Sequence, residues 1–256
     1  MAQQKAGGQT TARRHRQQPD PATVLPGRAA TENPAARARP AQVPVAPRPR
    51  LRGWIHAITA PVSLAAGIIL GIRAPTVPAA VAVAVYTATA VTLFGISAAY
   101  HLGAWPPKVR VILRRIDHAD ILLLIAGTYT PIAALALHGA SRVAILTVVW
   151  AGAALGFLFQ AGWTGLPRWI YVPVYLGLGW AAVFVLPQLL NGAGLTALLL
   201  IVAGGVLYTL GGTAYGLRRP DPWPRWFGFH EIFHACTVAA FACQYAAIWA
   251  VVCHAA

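Results

Sequence analysis

The clearest chemistry in the sequence lies in the seven residues Gly228-Phe229-His230-Glu231-Ile232-Phe233-His234. The two histidines are four apart, so on a helix they sit one turn above each other on a single face and can share a metal ion. Two imidazoles leave a zinc ion short of ligands, and further donors must come from elsewhere in the chain. His101 offers a third imidazole, Ser97 precedes it by four residues on the same helical face, and Asp117 offers a carboxylate. His101, His230 and His234 together would give zinc three neutral nitrogens and leave its fourth position for water, as a catalytic site requires. Asp117 is suited to accept a hydrogen bond from that water and orient it, with Ser97 as an outer donor. For Asp117 and Asp120 the plainer reading is a carboxylate held at a helix N-terminus by the macrodipole. For His118 and His56 it is an interfacial position. Ionisable groups inside a bilayer cost about 2.5 to 3.5 kcal/mol each on insertion scales, so a pair with a glutamate between them calls for a function.

The elements that must position these groups are membrane helices. Of 256 residues, 57% are hydrophobic and 10% charged, with only six acidic side chains, which excludes a soluble domain of ordinary surface charge. From Trp54 onward, apolar runs of spanning length alternate with turn-forming breaks, and the sequence predicts helices over about 54–72, 77–102, 118–137, 143–162, 169–187, 194–216 and 229–253. The breaks include Arg73-Ala74-Pro75, Trp105-Pro106-Pro107, His138-Gly139, Gly165-Leu166-Pro167, Asn191-Gly192 and Arg219-Pro220-Asp221-Pro222. The fold class expected is therefore all-α, a bundle of seven transmembrane helices.

Loop charge orients the bundle. Lys108, Arg110, Arg114, Arg115, Arg168, Arg218, Arg219 and Arg225 fall in loops on one side together with a basic N-terminal segment, whereas the opposite loops hold Arg73 and Arg142. The N-terminus is expected inside and the C-terminus outside, with Trp54, Trp105, Trp169, Trp223 and Trp226 as an aromatic belt at the inner interface. In that topology the end of the second helix and the starts of the third and seventh share one depth, which gathers Ser97, His101, Asp117, His230 and His234.

Residues 1–50 carry nine Lys/Arg, two acidic residues, eight prolines and no Phe, Trp or Tyr. Such a segment buries too little apolar surface to offset the entropy of ordering, so the domain plan is a disordered basic tail over 1–50 and a membrane domain over 51–256. The tail contains no apolar stretch of the kind a secretory signal carries. Without aromatic stacking platforms it does not suit nucleic acid, and attraction to anionic lipid headgroups is its expected consequence. Cys236, Cys243 and Cys253 form no CxxC pair and are expected to be small core residues.

Three stretches carry a resemblance to a known family. Ser97-Ala98-Ala99-Tyr100-His101, Arg115-Ile116-Asp117-His118 running on to Ala126-Gly127-Thr128-Tyr129-Thr130-Pro131, and the final HxxxH resemble the signature motifs of the hemolysin III family, the bacterial branch of the progestin and adiponectin receptor (PAQR) family. The likeness covers about residues 52–253. It implies a multi-pass protein of the bacterial plasma membrane, zinc ligands at His101, His230 and His234, a water-holding aspartate at Asp117 and the motif serine at Ser97. Its eukaryotic receptors and the related alkaline ceramidases imply hydrolysis of lipid amides by a zinc-activated water. The start of the first helix, Trp54-Ile55-His56-Ala57-Ile58-Thr59-Ala60-Pro61, departs from the Thr-His-Gly stretch common in bacterial members.

Three functional readings follow. The first is a zinc-dependent membrane hydrolase of a lipid amide or ester, with membrane lipids or a fatty-acyl compound as substrate. The second takes His230-Glu231-Ile232-Phe233-His234 as the H-E-x-x-H of a zinc protease with Glu231 as general base. The third is a non-enzymatic protein of membrane homeostasis, signalling or cytolysis with a structural zinc. No expected span shows the polar stripe that would line a water-filled pore.

Overall fold

A computed structural model of the protein describes residues 49–162 and 167–255, and the expected tail over 1–50 lies almost wholly outside them. The described residues are helical apart from short connections and one isolated bridge, Trp223 to Phe227, with no strand among them. The helices are α1 (Trp54–Ile72), α2 (Val77–Leu102), α3 (Pro107–Ala136), α4 (Gly139–Gly162), α5 (Arg168–Gly179), α6 (Leu186–Leu217) and α7 (Phe229–Ala255), with a 3₁₀ turn over Trp180–Val185 joining α5 to α6. Six runs are long and apolar enough to cross a bilayer: Trp54–Ile72, Val77–Leu102, Pro107–Ala136, Gly139–Gln160, Arg168–Leu217 and Phe229–His254.

Local chemistry accounts for the ends of these helices. The Thr76 hydroxyl accepts a hydrogen bond from the Ala79 amide at 3.3 Å and caps α2, with Pro78 in its first turn. α3 begins at Pro107, eleven residues before the expected position, so most of the expected loop over 103–116 is helix. The reason is that Pro107 presets the first helical turn, and the run from Lys108 to Arg115 continues it. Asp117 and Asp120 consequently lie well inside α3, beyond the reach of its N-terminal dipole, and the macrodipole reading of both falls. The expected Asn191-Gly192 turn is helical. The backbone leaves helical geometry instead at Gly194, whose φ of 78° and ψ of 167° suit glycine.

α2 lies between α1 and α3, α4 packs on α3, α6 pairs with α7, and α7 also touches α1 and α3. α3 is the most enclosed of the candidate spans. The core includes Leu70, Val83, Tyr86, Phe94, Leu122, Leu137, Leu189 and Ile248. Large apolar side chains such as Ile58, Ile72, Leu155, Phe184 and Leu199 are exposed on the outer faces. An aqueous protein rarely presents so continuous an apolar surface, whereas bilayer hydrocarbon solvates it without cost.

Candidate metal centre

The α7 N-terminus is built to hold its two histidines rigidly. The Phe229 amide donates to Asp221 Oδ1 at 3.2 Å, and Glu231, in the first turn, reaches back to accept from the Gly228 amide at 2.9 Å. The other oxygen of Glu231 accepts from Arg52 Nε at 2.7 Å. Arg52 belongs to the strap before α1, which also donates backbone hydrogen bonds from Arg50 to the Arg225 carbonyl and from Leu51 to the Trp226 carbonyl. The strap ends at Gly53 in a left-handed conformation, φ 88°, where an added Cβ would sit 2.8 Å from His101 Cβ. Only glycine satisfies that backbone angle and that approach together.

His101, in the last turn of α2, meets His230 and His234 from α7, with one ring nitrogen of each within 4.8 Å of the others. His230 Nε2 lies 3.2 Å from His101 Nε2. The rings splay, at 78° between His101 and His230, 61° between His101 and His234, and 64° between His230 and His234. Three imidazoles that converge on one ion must splay in this way. Bonds of 2.0 to 2.1 Å to a tetrahedral zinc place neighbouring nitrogens about 3.4 Å apart; the His101 to His230 pair, at 3.2 Å, is close to this, and all three nitrogens lie within 4.8 Å of one another. The donor set therefore fits a divalent metal ion. The C-terminal end of α2 adds the negative pole of a helix on the side from which His101 enters.

Asp117 Oδ2 is 3.8 Å from His101 Nε2, and Ser97 lies beside the Asp117 carboxylate. All five expected site residues are thus in one neighbourhood, and Ser97, Asp117, His230 and His234 also line one end of a cavity. That cavity runs along the bundle past Thr128, Thr237 and Gln244 to Leu137, Val185 and Leu189, between mostly apolar walls. Its lining on α3 runs from Asp117 to Ala133, sixteen residues or about 24 Å of helix, which is most of the thickness of a bilayer's hydrocarbon.

The remaining sequence candidates divide. His118 turns to a tyrosine cluster, with its Nε2 3.5 Å from Tyr215 Oη and its carbonyl accepting from Tyr175 Oη at 3.0 Å. Asp120 is buried, does not line the cavity, and its Oδ2 has no partner among the described residues. His56 is buried against His234, a contact the sequence could not signal because the inward face of α1 is set by packing alone. The tyrosines of the cavity wall were also unmarked. Gln160 Nε2 donates to Tyr175 Oη at 2.7 Å, and Arg168 lies 4.2 Å over the Tyr215 ring.

Glu231 is fully buried, accepts one hydrogen bond on each carboxylate oxygen, from Arg52 and from the Gly228 amide, and does not line the cavity, so its contacts are those of a residue that fixes the α7 N-terminus, whereas the zinc-protease reading needs it turned toward a metal-bound water. Glu231→Gln is expected to keep the metal while lowering stability by about 1 to 3 kcal/mol through the weakened Arg52 contact. Metal content and thermal unfolding of the purified variant check both parts, and loss of metal would return Glu231 to the centre.

Comparison with known proteins agrees with this architecture. The model of a family described as haemolysin-III related matches residues 45–245. "Hemolysin-3" of Bacillus cereus is 35% identical over 164 residues, covering 61% of this chain and 72% of that protein. "Hemolysin-3 homolog" of Bacillus subtilis (strain 168) is 34% identical over 143 residues, 54% of this chain and 62% of that one. "Progestin and adipoQ receptor-like protein 1" of Caenorhabditis elegans is 28% identical over 174 residues, 60% of this chain and 40% of that one.

Proposed function

The chain belongs to the haemolysin III-related family of multi-pass membrane proteins, and on that premise we propose that it is a zinc-dependent hydrolase of a lipid amide or ester. The observation that carries the reading is the meeting of three splayed imidazoles and a buried carboxylate at one end of a long apolar cavity. His101, His230 and His234 would hold the ion. When bound, zinc supplies Lewis acidity toward water and toward a carbonyl. Asp117 orients the attacking water and takes its proton, and Ser97 fixes the carboxylate that does so. The apolar cavity receives the acyl chain and keeps bulk water away from the reacting carbonyl. Substrate therefore comes from membrane lipids and not from an aqueous pool.

The apolar walls also argue against a water-filled path, so the cytolytic activity suggested by the relatives' names finds no support in a conducting pore. A zinc closed by four protein ligands is the competing account, since Asp117 is near enough to His101 to be considered as a ligand. The test is hydrolysis of a panel of acyl amides and esters by purified zinc-loaded protein. Chelator-sensitive release of fatty acid is expected. A panel untouched by protein that carries a full complement of zinc would contradict the hydrolase and favour the structural ion.

The proposal includes seven spans, with the N-terminus inside and the C-terminus outside. Its support is that the run Arg168–Leu217 would extend roughly 75 Å as one straight helix, far beyond a bilayer core. The non-helical Gly194 divides it into 168–193 and 195–217, each of span length. Reporter fusions after residue 140 and at the C-terminus should both report outside. A cytoplasmic C-terminus would contradict the seventh span.

A further inference from the structure

Helix α1 reaches the centre through one side chain, His56, which the proposed chemistry leaves unused. It is 2% exposed, and its ring lies flat on that of His234, with centroids 3.9 Å apart and planes within 15°. Phe94 meets it edge-on, at 5.0 Å and 69°. Neither ring nitrogen has a hydrogen-bond partner among the described residues. Burying a poorly paired polar group costs about 1 to 3 kcal/mol, and the His234 backbone nearby offers the ring at most a weak partner, so the flat contact with the His234 ring is the strongest interaction His56 makes here.

Direct ligation is not the answer. An imidazole coordinates in the plane of its own ring, along the nitrogen lone pair. Two rings stacked face to face hold their lone pairs in nearly parallel planes a ring's thickness apart, so both cannot point at one ion. His101, His230 and His234 are mutually splayed by 61° to 78°, whereas His56 is not splayed from His234. What His56 offers is the face of its ring. An imidazole that coordinates a dication is electron-poor, and a neutral aromatic face laid on it is attracted while fixing the plane of the ring beneath. Phe94, a core residue, also touches His56, so the stack is supported by the core.

We propose that His56 is a positioning residue of the metal centre: its stacked ring sets the plane of His234 and so keeps that nitrogen aimed at the ion. The inference rests on the metal reading above and adds α1 to a centre otherwise built by α2, α3 and α7. It also gives the strap a role. Arg52 and Gly53 immediately precede α1 and His56 lies in its first turn, and the Arg52 to Glu231 ion pair together with the His56 to His234 stack fastens the strap and the start of α1 to α7.

The experiment uses the purified full chain in detergent. Zinc affinity is read by competition with a chromophoric chelator, and the coordination geometry by the visible spectrum of the cobalt(II) form. His56→Phe keeps the flat face and removes both nitrogens, whereas His56→Leu keeps much of the volume and removes the face. His56→Leu is expected to weaken zinc by about 10- to 100-fold and to change the cobalt bands, with His56→Phe within about threefold of the wild type and spectrally unchanged. Equal losses in the two variants would assign the effect to the nitrogens, and unchanged affinity in His56→Leu would show the stack to be idle. Either result overturns the proposal. Should His56→Leu fail to fold, His56→Met, flexible and without a flat face, replaces it with the same expectation. A wild type that takes up neither zinc nor cobalt would overturn the metal reading itself, and the inference with it. That failure is distinct, because it appears before any variant is compared.

Discussion

Replacing any one of His101, His230 and His234 by Ala is expected to abolish tight metal binding. Outer-shell changes already cost about 10- to 100-fold in affinity, so the loss of one of three ligands should exceed that range. The consequence extends to the fold, because the centre joins the end of α2 to the start of α7. Elsewhere these helices meet through aromatic side chains, Tyr86 and Phe94 against Phe241. A ligand at 100 times its dissociation constant stabilises the state that binds it by about 2.7 kcal/mol. The wild type should therefore melt at a higher temperature with zinc than without, and the three variants should melt alike in both conditions. Titrated metal uptake and thermal unfolding check the two parts. A variant that keeps stoichiometric zinc would remove that histidine from the centre.

Asp117→Asn is expected to behave in the opposite way. Asparagine is isosteric with aspartate and keeps a hydrogen-bonding oxygen beside Ser97, so the bundle should fold and the three imidazoles should keep their ion. What it cannot do is accept the proton of an attacking water. Loss of a positioned general base lowers rates by about 10²- to 10⁴-fold. Zinc should stay near the wild-type content while hydrolysis of any substrate found in the panel falls by that factor. If Asp117→Asn is instead as depleted of metal as the histidine variants, Asp117 is a fourth ligand and the centre is a closed, structural one.

Much of this arrangement was legible in the sequence because it depends on local periodicity. Spanning runs with turn chemistry between them mark the first, second and last helices closely, and the i, i+4 spacing of His230 and His234 marks a shared face whatever the fold. Placing helix ends by depth was enough to bring His101 to that face and Asp117 beside it. The start of α3 was hidden because the charges from Lys108 to Arg115 resemble a loop, although Pro107 opens a helix there. Gly194 was hidden by the stronger turn signal of Asn191-Gly192. Contacts between the ends of the chain had no local signal at all. Arg52 and Glu231 are 179 residues apart, and nothing in either segment indicates that the H-E-x-x-H glutamate is held in an ion pair. The same holds for His56, whose stacking on His234 follows from the way α1 packs against α7.

The most direct test of the central claim is the zinc K-edge X-ray absorption spectrum of the purified, zinc-loaded protein. The expected shell holds nitrogen and oxygen scatterers at about 2.0 to 2.1 Å with the outer-shell pattern of three imidazoles. It should collapse in His230→Ala and persist in Asp117→Asn. Sulfur scatterers at about 2.3 Å, which only Cys236, Cys243 or Cys253 could provide apart from Met1, would place the metal elsewhere in the chain and contradict the account.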